Sequence, residues 1–107
     1  MTNANSLTGA IIDYIRMNHG HSERINNISR QVTTRTGAKV FIPSAGFRGT
    51  ADIHACINGR FVAIEIKAGK DKVSEAQKYY AECVTKAGGV YMIVHSFDEF
   101  LEQWNAI

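Results

Sequence analysis

The sequence predicts an α/β fold, with helices packed on a central mixed β-sheet, and three observations carry that expectation. First, Asn58-Gly59 stands between two β-type runs, residues 51–57 and 60–67. Asn-Gly suits a type I′ hairpin turn because both central residues take positive φ. Second, residues 74–87 carry a helical stripe of Ala76, Tyr80, Cys83, Val84 and Ala87, stopped by Gly88-Gly89. Third, residues 90–95 read as a strand of buried type. A hairpin followed by a helix and a further strand puts antiparallel and parallel neighbours into one sheet.

The remaining elements follow in order. Residues 6–18 read as a helix, with Leu7, Ile11, Ile12 and Ile15 at helical spacing and Gly20 as a stop. Residues 21–36 are polar and fit a strand, a loop or both. Residues 39–42 form a short strand ending at Pro43, and 44–50, with Gly46 and Gly49, form a loop. Residues 68–72 are a basic loop. Ser96 caps a last helix, and Glu99 three residues on completes the pattern of a capping box.

At 107 residues the chain is read as one domain, 1–107. An apolar share of 45%, a charged share of 21% and one proline exclude a disordered or low-complexity chain. No apolar run approaches the roughly 18–20 residues that span a bilayer. The start, Met1 to Asn5, lacks a basic segment leading into an apolar one, so no signal peptide is expected and the location expected is cytoplasmic. Cys56 and Cys83 have no metal-type spacing and fit reduced thiols. Net charge is only +2, but residues 1–72 hold ten Lys/Arg against five Asp/Glu, and residues 73–107 hold two against five. A basic front could attract a polyanion; on charge alone, uneven surface decoration explains it as well.

The hairpin carries the chemistry. Pairing outward from Ile57 and Arg60 sets Asp52 opposite Glu65, in a non-hydrogen-bonded pair whose Cα atoms lie about 4.5 Å apart. One face then holds Ala51, Ile53, Ala55, Ile57, Val62, Ile64 and Ile66, which must be core. The other holds Asp52, His54, Cys56, Phe61, Ala63, Glu65 and Lys67. Two facing carboxylates repel by roughly 1 kcal/mol in water and about 4 at an effective dielectric near 20. Folding gives no reason to choose them, whereas Mg²⁺ is commonly held by one or two carboxylates. Lys67 shares their face, where an ammonium can orient a nucleophile or stabilise charge on phosphate. The competing reading is a solvated charged face on which Lys67 neutralises Glu65.

Asp52 and Glu65-Ile66-Lys67, separated by a hairpin and followed by a helix bearing Gln77, resemble the PD-(D/E)xK nuclease superfamily, and within it the VRR-NUC (virus-type replication-repair nuclease) branch. The matching segments are Gly-Thr-Ala-Asp-Ile at 49–53, Gly-Arg-Phe-Val-Ala-Ile-Glu-Ile-Lys-Ala-Gly-Lys at 59–70, Ser-Glu-Ala-Gln at 74–77 and Ala-Gly-Gly-Val at 87–90. More loosely, Arg24-Ile-Asn-Asn resembles an Arg-Asn-Asn element before the core of many members. The resemblance implies a restriction-endonuclease-like core and a Mg²⁺- or Mn²⁺-dependent endonuclease acting on branched DNA such as Holliday junctions or flaps. It also implies homodimers. Asp52, Glu65 and Ile66 are its metal set, Lys67 assists the attacking water, and Gln77 approaches the site from the helix. Many members also carry a glutamate in the first helix. Its place falls near Asn5 to Leu7, where no acidic residue stands, and Asp13 is that helix's one carboxylate, so one metal is expected rather than two.

Gln77 has a second reading, as the partner of Ser74 in a capping box. Arg24, Arg48, Lys70 and Lys72 are the DNA-contact candidates, with Arg30, Arg35 and Lys39 behind them. Gly46 and Gly49 around Phe47-Arg48 fit either a phosphate-contacting loop or a tight turn into the hairpin. His54 is read as a polar neighbour, and His19-x-His21 lacks a third zinc ligand. Tyr79, Tyr80 and Tyr91 are read as packing residues rather than base-stacking platforms. Phe97, Phe100, Leu101 and Trp104 exceed what one thin helix needs, which places part of a dimer interface there. A non-catalytic DNA-binding module that keeps the nuclease fold is the alternative function. A one-metal hydrolase of a small phosphate ester is a third, disfavoured because no nucleotide-binding glycine motif is present.

Overall fold

Side chains and backbone together decide where each element starts. A computed structural model of the chain describes residues 3–25, 30–42 and 47–107, with Arg30 and Ile42 described by their backbone alone. The order is α1 (Ala4–Met17), β1 (His21–Arg24), β2 (Arg30–Thr33), β3 (Lys39–Ile42), β4 (Ile53–Ile57), β5 (Arg60–Ile66), α2 (Glu75–Lys86), β6 (Val90–Val94) and α3 (Phe97–Asn105). Asn3 starts α1 two residues earlier than the apolar spacing suggests, because its side chain accepts the Ser6 N–H at 2.8 Å. The helix closes at Asn18, and the Gly20 N–H donates to the Ile15 carbonyl at 3.0 Å.

Four strands form one sheet in the order β1-β4-β5-β6. β4 pairs antiparallel with β1 and β5, while β6 joins β5 in parallel after the α2 crossover. This is the expected mixed sheet flanked by helices, an α/β arrangement consistent with a restriction-endonuclease-like core. The hairpin register runs from Ile57↔Arg60 to Ile53↔Ile64, as the sequence predicts. Asn58 and Gly59 take φ of 53° and 77°, the type I′ requirement.

The outer end of the hairpin departs from expectation. β4 begins at Ile53 rather than at residue 51, and the chain bends at Asp52. The Asp52 carbonyl accepts the Ile25 N–H at 2.8 Å, which continues the β1–β4 pairing by one residue, while on the β5 side the Ile66 N–H goes to the Asp52 carboxylate at 2.8 Å. Strand alternation therefore does not extend to Ala51. Instead of joining the Ile53 face, Ala51 is buried on the opposite face with Ala63, Tyr80 and Val84.

The main core lies between the Ile53 face and the helices α1 and α3. It gathers Leu7, Ile11, Ile15, Ile53, Ile64, Met92, Val94 and Phe100, among others. Tyr14 meets the rings of Phe97, Phe100 and Trp104 edge-on at 5.7, 5.7 and 5.6 Å. Of the α3 apolar residues Phe100 is fully buried, while Phe97, Leu101 and Trp104 pack against the core and stay partly exposed. α3 also has half of its expected cap. Ser96 Oγ accepts the Glu99 N–H at 3.1 Å, but the Glu99 carboxylate meets His95 Nδ1 at 2.9 Å.

The second face of the sheet is covered in part by α2 through Tyr80 and Val84, so it is not the fully solvated face that a purely decorative charge pattern requires. β2 and β3 form a separate two-stranded ribbon, its tip closed by Thr34 N–H to the Ala38 carbonyl at 2.8 Å. β1 and β2 resolve part of the polar stretch that the sequence left open as strand, loop or both. Among the described residues no helix is long and apolar enough to cross a membrane.

Candidate active site

β5 ends in Glu65 and Ile66, and Lys67 follows directly, its N–H donating to the Val94 carbonyl at 3.0 Å; alternation sends Glu65 and Lys67 to the face shared with α2. Both charged residues are buried, Glu65 to 5% exposure and Lys67 to 8%. Burying a charge is costly unless it is partnered, so the partners define the site. Asp52 lies at the mouth of the hairpin, half-buried. Its Oδ2 accepts the Ile66 N–H at 2.8 Å, one residue beyond the predicted opposite position, because the bend at Asp52 swings its side chain across the end of the ladder. The two carboxylates remain close enough for the charge of Asp52 to act on Glu65.

Gln77 joins both of its sequence readings. With Ser74 it forms a full capping box: Gln77 N–H to Ser74 Oγ at 3.2 Å and Ser74 N–H to Gln77 Oε1 at 2.9 Å. The same Oε1 accepts from Lys67 Nζ at 2.8 Å, and Nε2 donates to Glu65 Oε2 at 2.7 Å. Lys67 Nζ itself stands 3.5 Å from Glu65 Oε2. One amide therefore holds the carboxylate and the ammonium of the E-x-K pattern in a fixed relation.

The Glu65 carboxyl is pushed up to about 7, first by burial and then by the charge of Asp52, against the downward pull of Lys67. Its second oxygen, Oε1, is buried and has no hydrogen-bond partner. A buried, unpartnered carboxylate oxygen beside a second carboxylate fits a hard divalent cation. The donor set is small: no group of three or more His, Cys, Asp and Glu is placed to hold a metal among the described residues. The Ile66 side chain belongs to the core, so only its main chain is left to serve a metal. On α1, Asn5 Oδ1 accepts from Arg24 Nη2 at 2.8 Å, and Asp13 is exposed.

The other candidates divide clearly. His54 Nε2 is engaged by the Tyr80 hydroxyl at 2.9 Å, its ring stacks on Tyr80, and burial lowers its pKa; this is the polar neighbour the sequence suggested. Lys70 and Lys72 are exposed on the loop between Lys67 and the Ser74 cap, at the edge of the site. Arg48 is exposed near the start of α2. Arg35 and Lys39 are exposed on the separate ribbon, and the Arg30 side chain, Asn26, Asn27, Pro43 and Gly46 lie outside the described residues. Cys56 and Cys83 are free thiols, and His21 Nε2 meets Glu23 at 3.0 Å.

The sequence reading took Tyr91 as a packing residue and did not connect it with Glu65. It pairs with Ala63 on the Glu65 face, its hydroxyl is buried without a partner, and its pKa is pushed up to about 12, first by burial and then by Glu65. Its signal was present, as the parallel neighbour of the strand that carries Glu65, but it depends on knowing the β5–β6 register. Comparison with models of known protein families and with curated proteins found no match to this chain.

Proposed function

We propose that the chain is a metal-dependent endonuclease that hydrolyses DNA phosphodiester bonds, a VRR-NUC domain of the PD-(D/E)xK superfamily acting on branched DNA. The observation that carries this reading is the buried Glu65, with one oxygen unpartnered and the other held by Gln77, next to Asp52 and Lys67. Asp52, Glu65 and the Ile66 main chain would hold Mg²⁺ or Mn²⁺. When bound, the ion supplies charge neutralisation at the scissile phosphate and acidifies water. Lys67 presents its ammonium to the developing charge, and Gln77 keeps that ammonium oriented. Lys70, Lys72, Arg48 and Arg24 would meet the DNA backbone. The non-catalytic alternative draws on one feature: where the family places a first-helix carboxylate, Asn5 holds Arg24 instead.

Labelled four-way junction, flap and linear duplex incubated with Mg²⁺ or Mn²⁺ test the reading. Glu65→Ala should lose metal binding and cleavage together. Lys67→Ala should keep metal binding while cleavage falls about 10²–10³-fold, as for loss of one electrostatic stabiliser. Both should still bind DNA. Cleavage that survives in Glu65→Ala overturns the proposal. A homodimer would present two sites to a symmetric junction; light scattering that gives the 11.8 kDa of one chain at micromolar concentration removes it.

A further inference from the structure

A second surface continues from the site along the start of α2. Tyr79, two residues after Gln77, is 60% exposed, and its ring stacks on Phe47, itself 51% exposed, at 6.0 Å between centroids and 13° between planes. Phe47 also meets the buried Tyr80 at 5.9 Å, so the pair is seated on the fold with Tyr79 as its more exposed member. Arg48, Glu75 and Ala76 complete an open groove of about 570 Å³. Glu75 pairs with Lys78 at 3.2 Å, and Arg48 is exposed.

The backbone fixes this groove against the site. The Thr50 N–H donates to the Phe47 carbonyl at 3.1 Å, and the Thr50 hydroxyl donates to the same oxygen. Gly49, at φ 78°, sits so tightly on α2 that an added Cβ would lie 2.4 Å from the Ala76 carbonyl and 2.7 Å from the Gln77 nitrogen. The turn bearing Phe47 and Arg48 is therefore in backbone contact with the residue whose side chain holds Glu65.

Two large rings laid parallel beside a cation remain more than half exposed. Bases of a continuous duplex are stacked on one another and present edges, whereas an unpaired base presents a free face to an aromatic ring. Arg48 lines the groove and the exposed Lys70 and Lys72 precede the cap of α2, charges that favour a polyanion over an apolar protein segment. We propose that Phe47 and Tyr79 form a stacking platform for an unpaired base, with Arg48 on its phosphate, so that the substrate class is DNA with a single-stranded nucleotide beside the cut. The proposal rests on the nuclease reading and deepens it.

Binding measured in EDTA, where no cleavage occurs, tests it. The probes are a dT oligonucleotide, a linear duplex and a flap carrying 2-aminopurine in the unpaired arm. Tyr79→Ala and Phe47→Ala should each weaken the dT and flap complexes about 10-fold, within the range for loss of one base–aromatic stack, and change duplex binding less than about twofold. Tyr79→Phe should retain wild-type binding, and quenching of the 2-aminopurine should be lost in Tyr79→Ala. Thermal unfolding of each variant checks that it folds. Equal loss on duplex and single strand, no loss on either, or conversion of a dimer to a monomer by Tyr79→Ala would overturn the platform. Absence of cleavage by the wild-type protein with metal would break the nuclease reading and leave these binding results standing.

Discussion

The molecule contains two antiparallel hairpins that differ in what covers them. β4–β5 is flanked by β1 and β6 and covered on one face by α1 and α3 and in part on the other by α2; Ile53, Val62, Ala63 and Ile64 are wholly buried. β2–β3 pairs only with itself among the described strands and exposes Val40 to 43% and Phe41 to 65%. An isolated two-stranded ribbon is marginal in water, whereas added strands and helices supply the burial that makes a hairpin stable. The covered hairpin can therefore carry a buried carboxylate, a cost the open one has no packing to offset.

The contrast has measurable consequences. The largest should come from Ile64→Ala, which removes a fully buried side chain from the centre of the covered hairpin; a loss of about 2–5 kcal/mol is expected by urea unfolding. A cost under 1 kcal/mol would mean that this hairpin is no better packed than the other.

An intermediate effect belongs to Glu65. Its pKa is raised from 4.5 to about 7, so folding favours its protonated form. Without metal, its contribution to stability is fully present below about pH 4.5 and is lost as pH rises through about 7. Thermal unfolding across this window should show wild type weakening relative to Glu65→Gln as pH rises. Mg²⁺ should restore wild type, but not the variant, at pH 8. Parallel curves for the two proteins would remove the buried-charge argument. The smallest effect should come from Phe41→Ala on the open ribbon, within about 0.5 kcal/mol of wild type. A loss above about 1.5 kcal/mol would show that something packs on this ribbon and would end the contrast.

The covered hairpin was the legible one. Asn58-Gly59 fixes its turn and, through strand alternation, its register, and Ser74 with Gln77 announces the start of α2. Each signal is local, carried by residues a few positions apart. What escaped depends on distant contacts. β1 reads as polar because only Ser22 faces inward, where its hydroxyl donates to the Ile12 carbonyl at 3.0 Å; a small polar residue suits that close approach to α1. Strand alternation misplaced Ala51, since no pattern within the hairpin encodes the bend at Asp52, whose carboxylate takes the Ile66 N–H. The E-x-K segment and Gln77 could be marked as site residues, but not that one amide would link them. Phe47 and Tyr79 meet across 32 positions of chain, so their stacking leaves no periodic trace.

The Gln77 amide ties the first turn of α2 to the site. Helix ends fray, and when this turn opens, Ser74 Oγ releases the Gln77 N–H while Glu65 and Lys67 lose their common partner. Solvent exchange of a single backbone amide proton thus reports how often the site comes apart. Its protection factor, read with and without added cation, tests whether a cation steadies the first turn of this helix.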